Sequence, residues 1–397
     1  MANKKVISSP VKINGRSWKD IYDKKSRPAL FVHLLAAMIF PVTLPINAAN
    51  VEPVDQNAVL TLNLDKSQLS NNNHYIWNEV EGGTHANYWY RSSHWVCRST
   101  TNPVTGACST TAVSDIPGPT LIPLTFTEQR SGIKKTLNVY GHNRRNICNS
   151  DTKAINDYKF EWCGANPGYG NTSKKLTVWI SDDQIAQLDV SGRWKANLKI
   201  LQAIKDEFTG QFRNVANWNA DITINLQDRN NITIWFPAWP TSTPNVNLNL
   251  QTLSAPGTPG GQTSGRALLD MCLYDGFNAN SASYKVLLSD GQNISGREKS
   301  FFSVFHDGRP NNNRHQRVDY RIELNYNGQQ LTLNNNQPLT LTGINQTKIQ
   351  SVVLPNIPHP VMCVPTPLTF ITPTFSPINT QSGSYSGQVR MVFTPSL

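Results

Sequence analysis

Three observations predict an all-β fold built from sandwiches of short strands. Apolar residues alternate with polar ones in short runs that recur from residue 58 to the chain end. The 25 Pro and 24 Gly punctuate these runs with turns, in a chain whose uncharged polar share is Asn, Thr, Ser and Gln. Charged residues make up only 16 %, which excludes a highly charged disordered chain, and 397 residues allow two or three domains.

The elements follow in order. Residues 1–28 hold eight basic side chains (Lys4, Lys5, Lys12, Arg16, Lys19, Lys24, Lys25, Arg27) against Asp20 and Asp23. An apolar stretch, Ala29–Phe40, comes next, then Pro41 and Pro45, then the small residues Ala48 and Ala49. This is the pattern of a secretory signal peptide with a long basic n-region, cleaved after Ala48 or Ala49. A membrane anchor kept in the mature chain is the alternative reading, although the apolar run is short for a span. The leader carries +6 of the net +10 and leaves +4 on the remainder, where no Lys/Arg run exceeds two. Nucleic acid is therefore not an expected partner.

Clean strand alternation follows at Ala58–Leu64, Leu121–Phe126, Leu137–Tyr140, Leu176–Ile180, Ala196–Leu201 and Ile222–Leu226. Ser181–Leu188 is the one helical stretch, with Ser181 as N-cap and Asp182 and Asp183 in its first turn. Asp228–Asn231 is a polar turn before Ile232–Phe236, either a domain junction or a hairpin turn. Thr252–Gly265, rich in Gly, Thr, Ser and Pro, reads as a mobile loop. The terminal run sets Val389, Met391 and Phe393 on one face of a strand suited to pairing with another chain.

All six cysteines (Cys97, Cys108, Cys148, Cys163, Cys272, Cys363) follow the leader, an even count that implies disulfides in an exported protein. Roughly fifteen pairings are open to six cysteines, and chain proximity favours Cys97–Cys108 and Cys148–Cys163, leaving Cys272–Cys363. The chain has no C-x-x-C, H-E-x-x-H, G-x-S-x-G or P-loop, and no metal or cofactor is implied. The adjacent acids Asp182-Asp183 and Asp206-Glu207 point to opposite faces if they lie on strands, unlike the facing carboxylates of a glycosidase. A secreted β-sandwich glycosidase is thus the weaker alternative to a binding protein. The first half is rich in tryptophan. Trp179, Trp194 and Trp218 read as core, while Trp89 and Trp95, beside Arg91 and His94, are candidates for stacking on sugar.

From Asp221 onward the text resembles the CblD-like family of tip subunits of colonisation factor antigen I type fimbriae, exported by the alternate chaperone–usher pathway. The residues that carry this are Ile222–Pro237, Asn247–Leu250, Gly265–Gly276, Ile357–Pro365 and Tyr385–Pro395, with looser matches at Gly106–Cys108, Leu124–Arg130 and Gly192–Trp194. The resemblance implies two immunoglobulin-like β-sandwich domains in tandem. They would be an adhesin domain at 50–228 and a pilin domain at 232–397, joined by residues 229–231 after a leader at 1–49. It also implies the three disulfides favoured by proximity.

On this resemblance the pilin domain lacks its last strand. A periplasmic chaperone fills the open groove first, and the donor strand of the major pilin then replaces it at an outer-membrane usher. Val389, Met391 and Phe393 would belong to the contact strand. The exported protein would sit at the fimbrial tip and bind a host-cell glycan or glycoprotein receptor; initiating assembly without a ligand is the alternative role. The family's receptor site is a cluster of arginines at the distal end of the adhesin domain. Arg91, six residues before Cys97, lies within one position of the first. The positions of the others read Ile204 and Lys205, and a lysine cannot reproduce the two-pronged contact of an arginine with a carboxylate. Arg213 is a substitute nearby, and Arg144 and Arg145 form a second basic pair.

Overall fold

The alternation becomes nine strands in the first half: β1 (Gln56–Asp65), β2 (Asn73–Glu81), β3 (His94–Cys97), β4 (Thr120–Glu128), β5 (Lys134–Arg145), β6 (Lys153–Ala154), β7 (Lys174–Ser181), β8 (Gly192–Lys205) and β9 (Phe212–Gln227). They come from a computed structural model that describes residues 50–84, 90–145, 151–159, 173–206, 208–255 and 258–396. The expected leader at 1–49 and the Cys148–Cys163 pair lie outside the described residues.

The hydrogen-bonded order is β1-β9-β8-β4-β5-β7-β2, with β3 beside β8 and β6 beside β5. Strands β4 and β8 meet only at Thr127–Lys195 and Glu128–Trp194, so the sheet folds over at that corner into two layers. Alternate residues face inward. Leu124 and Phe126 of β4, Leu176, Val178 and Ile180 of β7, and Trp194, Leu198 and Ile200 of β8 are fully buried. Each such side chain contributes about 1.5–3 kcal/mol by leaving water. Strand β1 lies parallel to β9, Leu60 opposite Ile222.

The second half forms β10 (Thr233–Trp235), β11 (Gln251–Ala255), β12 (Thr258–Leu269), β13 (Cys272–Tyr274), β14 (Ser283–Ser289), β15 (Phe301–His306), β16 (Arg317–Tyr326), β17 (Gln329–Thr332), β18 (Pro338–Thr342), β19 (Gln350–Val352), β20 (Val361–Pro365), β21 (Leu368–Phe375), β22 (Tyr385–Ser386) and β23 (Arg390–Pro395). These make sheets ordered β10-β13-β20-β19, β11-β12-β21-β16-β15-β22 and β18-β14-β23, around a second core that includes Tyr284, Phe302, Ile322 and Phe393. The bridges Cys97–Cys108 and Cys272–Cys363 are formed, with Cα atoms 5.2 and 5.8 Å apart.

Two expectations need correction. The helix is one turn, Asp182–Ile185, and the Ser181 side chain makes no capping bond. Asp182 is buried and looks away from the helix, accepting from the Ser70 and Asn72 backbone N–H groups at 3.0 and 3.1 Å and meeting His74 Nε2 at 2.7 Å. Strand β2 and the residues just before it, not the helix dipole, hold that carboxylate. The expected loop at Thr252–Gly265 is the β11–β12 hairpin. Its Thr252 and Thr263 hydroxyls meet at 2.6 Å, and β12 continues into register with β21. Composition suggested a loop because the Gly, Pro, Ser and Thr of the two arms give no apolar alternation, even though the arms pair with each other.

Arg229–Asn231 is a short 3-10 turn between the halves. The halves also share a core: Cys272, Tyr274, Val352, Leu354, Val361 and Cys363 pack in the same buried cluster as the first-half interior. At the corner, Glu128 is wholly buried and accepts from Asn278 Nδ2 at 2.8 Å and Asn280 Nδ2 at 2.9 Å. It also accepts from the Arg130 and Ser131 backbone N–H groups and the Ser131 hydroxyl. Arg130 reaches across to the Thr347 carbonyl at 2.8 Å. Gly192 takes φ +151°, and a Cβ there would come within 2.6 Å of Glu128 Oε1. The position requires glycine both for its backbone and for its space.

Candidate binding surfaces

Strand β8 starts at the Glu128 corner and runs to Lys205, fourteen residues in all. At about 3.3 Å per residue the β8–β9 tip therefore lies roughly 40 Å from the junction with the second half. Asp206 shapes the tip. Its carboxylate accepts from the Thr209 and Phe208 N–H groups at 2.8 and 3.0 Å, and the Thr209 backbone and side-chain hydrogen bonds foremost hold it below the usual carboxylate range. Phe208 is 90 % exposed.

The tip gathers basic groups from separate parts of the chain. The Ser92 hydroxyl donates to the Lys205 carbonyl at 3.1 Å and accepts its N–H at 3.0 Å, which ties the turn carrying Arg91 to the end of β8. The Lys205 ammonium sits 4.9 Å from the Tyr158 ring centre and 5.9 Å from that of Phe212. His94, almost wholly buried, meets the Phe212 ring edge-on at 5.4 Å. Burial lowers the His94 pKa to about 4, so the imidazole is neutral and packs as an aromatic. Tyr90 donates to Glu52, and burial with that bond pushes its phenol up to about 12, while the Arg213 charge acts against this shift. Arg91, Lys205 and Arg213 are thus brought to one end of the first half.

Other expected residues do not join them. Trp95 is fully buried and packs edge-on against Trp218 at 5.3 Å, so its indole cannot touch a receptor. Its place on β3 opposite Gln202 of β8 turns it into the core. Arg144 pairs with Glu79 on the outer face of the other layer. The Arg145 side chain and Trp89 lie outside the described residues. Trp218 and Trp194 are core as expected, whereas Trp179 is half-buried on the outer face of β7. Ser92, Tyr158 and Phe212 were missed, because their roles depend on contacts with residues up to 113 positions away.

A second surface lies in the second half. Strand β23 pairs antiparallel with β14, Phe393 opposite Val286, and has no partner on its other edge among the described residues. Beside it is a cavity of about 640 Å³ lined by Ile234, Val246, Leu248, Leu269, Val389, Met391 and Phe393, among others. An apolar cavity next to an open strand edge offers side-chain pockets and unpaired backbone groups together.

Two family profiles of the CFA/I fimbrial protein CfaE match the chain, that of its first domain over residues 45–229 and that of its second domain over residues 232–397. The CFA/I fimbrial protein CfaE of Escherichia coli is 31 % identical over 324 residues, spanning 79 % of this chain and 82 % of that protein. The crystal structure of CfaE, the adhesive subunit of CFA/I fimbria of enterotoxigenic Escherichia coli, superposes with a TM-score of 0.72 at 26 % identity, over 88 % of this chain and 94 % of that one. The structure of a chaperone–tip adhesin complex of CFA/I fimbriae biogenesis gives a TM-score of 0.58 at 26 % identity, over 87 % of this chain and 98 % of that one.

Proposed function

The chain belongs to the CfaE family of CFA/I fimbrial proteins, and from that premise we propose that it is the adhesive tip subunit of a fimbria, exported to the cell surface. It binds rather than transforms its ligand. Residues 50–228 are the receptor-binding domain, 229–231 the linker and 232–397 the pilin domain. The observation that carries this reading is the convergence of Arg91, Lys205 and Arg213 at the tip farthest from the second half. The Ser92 hydroxyl bridge ties the turn that carries Arg91 to the Lys205 backbone before a ligand arrives.

Three clustered cations attract an anionic or strongly polar group. Lys205 offers a point charge already oriented by two rings, and Arg91 and Arg213 offer planar forks. A host glycan or glycoprotein is the receptor class that fits. The apolar cavity beside β23 takes first the strand of a periplasmic chaperone and then the donor strand of the major pilin at the usher. Backbone pairing provides the affinity, and the pockets around Val389, Met391 and Phe393 provide the selectivity. The chaperone-bound relative supports the first of these partners.

The test is binding of the full exported chain to a glycan array, beside Arg91→Ala and Lys205→Gln. Saturable binding that either substitution weakens at least about tenfold, or roughly 1.4 kcal/mol, supports the receptor site. A folded, disulfide-intact chain that binds no glycan and still nucleates normal fimbriae would make assembly initiation its role.

A further inference from the structure

The outer face of the β4-β5-β7-β2 layer carries an unusual row. Tyr75 of β2 lies opposite Trp179 of β7, Trp179 opposite Tyr140 of β5, and Tyr140 opposite Leu121 of β4. Strand register thus aligns four large side chains across four strands. The Tyr75 and Trp179 rings are 6.4 Å apart and the Trp179 and Tyr140 rings 5.7 Å apart. Tyr75 is 47 % and Leu121 54 % exposed, so the two ends of the row are open to solvent. This row is distinct from the cation cluster at the β8–β9 tip.

Polar groups border the row on both sides. On one, His142 lies 5.4 Å from the Trp179 ring, and next along β5 the Arg144 guanidinium pairs with Glu79. Glu79 is held there by construction. Strand β2 shifts register on either side of Trp77, Glu79 takes the left-handed φ of +53°, and its N–H is fixed by the Thr177 hydroxyl at 3.1 Å. A non-glycine residue in that conformation costs about 1–3 kcal/mol and persists only where its surroundings over-determine it. On the other side, Gln184 donates to the Tyr140 hydroxyl at 3.4 Å and accepts from the Asn138 N–H at 2.8 Å.

We propose that this row is a second carbohydrate-binding surface, whose ligand is an uncharged oligosaccharide lying across the strands. Sugar rings present apolar C–H faces between rims of hydroxyls. Tyr75 and Leu121, the exposed ends of the row, match the faces; Trp179, stacked on Tyr140, backs the row, and the Tyr140 phenol and His142 imidazole match the rims. Charge decides the class. The Arg144–Glu79 and Lys175–Glu81 pairs beside the row each neutralise themselves, and burial together with the Arg144 charge lowers the His142 pKa, so among the described residues the row carries no net charge to favour an acidic glycan. An acidic ligand suits the tip cluster instead, which makes the two surfaces complementary in chemistry.

The experiment titrates the full exported chain with maltohexaose, cellohexaose and mannohexaose, and with polysialic acid as the charged counterpart. It follows tryptophan fluorescence and ligand-detected NMR. The expected result is saturable binding of at least one neutral hexaose that leaves Arg91→Ala unaffected. Trp179→Ala should abolish it, and Tyr75→Ala should weaken it about tenfold, or roughly 1.4 kcal/mol. Tyr75 is exposed and Trp179 half-buried on the outer face, away from the core, and an unchanged melting temperature would confirm that the fold survives; Trp179→Phe, which keeps an aromatic ring, should recover part of the binding. The proposal is overturned if no neutral hexaose binds the folded chain. It is equally overturned if binding survives Trp179→Ala, if Arg91→Ala removes it, or if the aromatic substitutions alter only self-association in sedimentation.

Discussion

His94 shows how one buried side chain couples this protein to pH. Burial is the main cause of its depressed pKa, about 4 against 6.5 for an ordinary imidazole. Between these values the unfolded chain binds a proton that the folded chain refuses, so stability rises with pH through that window. The imidazole costs nothing above pH 6.5, and acidification towards pH 4 removes roughly 3 kcal/mol at about 1.4 kcal/mol per pH unit. Urea midpoints of wild type and His94→Gln at pH 7 and pH 4.5 isolate this effect. The wild type should lose more on acidification than the variant, and parallel losses would refute the assignment. The same side chain supports Phe212, so the variant should also loosen the aromatic seat of Lys205.

The β23 strand pairs with β14 on one edge and has no partner on the other among the described residues. Phe393 is buried against Tyr284 at 4.9 Å, whereas Val389 and Met391 are only partly covered. Appending a short linker and an alternating apolar strand after Leu397 should fill the cavity and pair the free edge. Burying three or four apolar side chains at about 1.5–3 kcal/mol each should raise the melting temperature by several degrees or more. An unchanged melting temperature, with the appended segment still sensitive to protease, would argue against a missing strand. The β11–β12 hairpin teaches the converse lesson: a segment with loop composition becomes strand when its two arms pair with each other and β12 then runs on into register with β21.

The two halves are joined by more than their linker. Glu128 gathers donors from both, and no cation shares its site among the described residues, so hydrogen bonds alone hold the carboxylate. Glu128→Ala leaves Asn278, Asn280, the Ser131 hydroxyl and the backbone N–H groups of Arg130, Ser131 and Arg193 without their acceptor. The expected cost is roughly 3 kcal/mol, lost from the junction rather than from either core. A melt that splits into two transitions, or faster proteolysis at Arg229–Asn231, is the expected readout. A single transition at the wild-type temperature would show that the shared apolar cluster suffices.

Period-two alternation made the all-β class and several strands legible, because burying one face of a sheet imposes that pattern wherever the other face meets water, while the β11–β12 strands, which lack it, were not. Gln56–Asp65, Thr120–Glu128 and Arg390–Pro395 were therefore legible, as was Cys97–Cys108, whose partners lie close along the chain. The family resemblance set Arg91 and Lys205 in one cluster with Arg213 as a substitute, whereas composition and spacing alone showed only scattered basic residues. Only folding set Ser92 against Lys205, and only strand register set Trp179 between Tyr75 and Tyr140. Trp95 and Trp179 show the limit most clearly. Both are tryptophans on strands, and local pattern assigned them the opposite way round. Which face of a strand meets water depends on the layer packed against it, and that layer is supplied by residues distant in the chain.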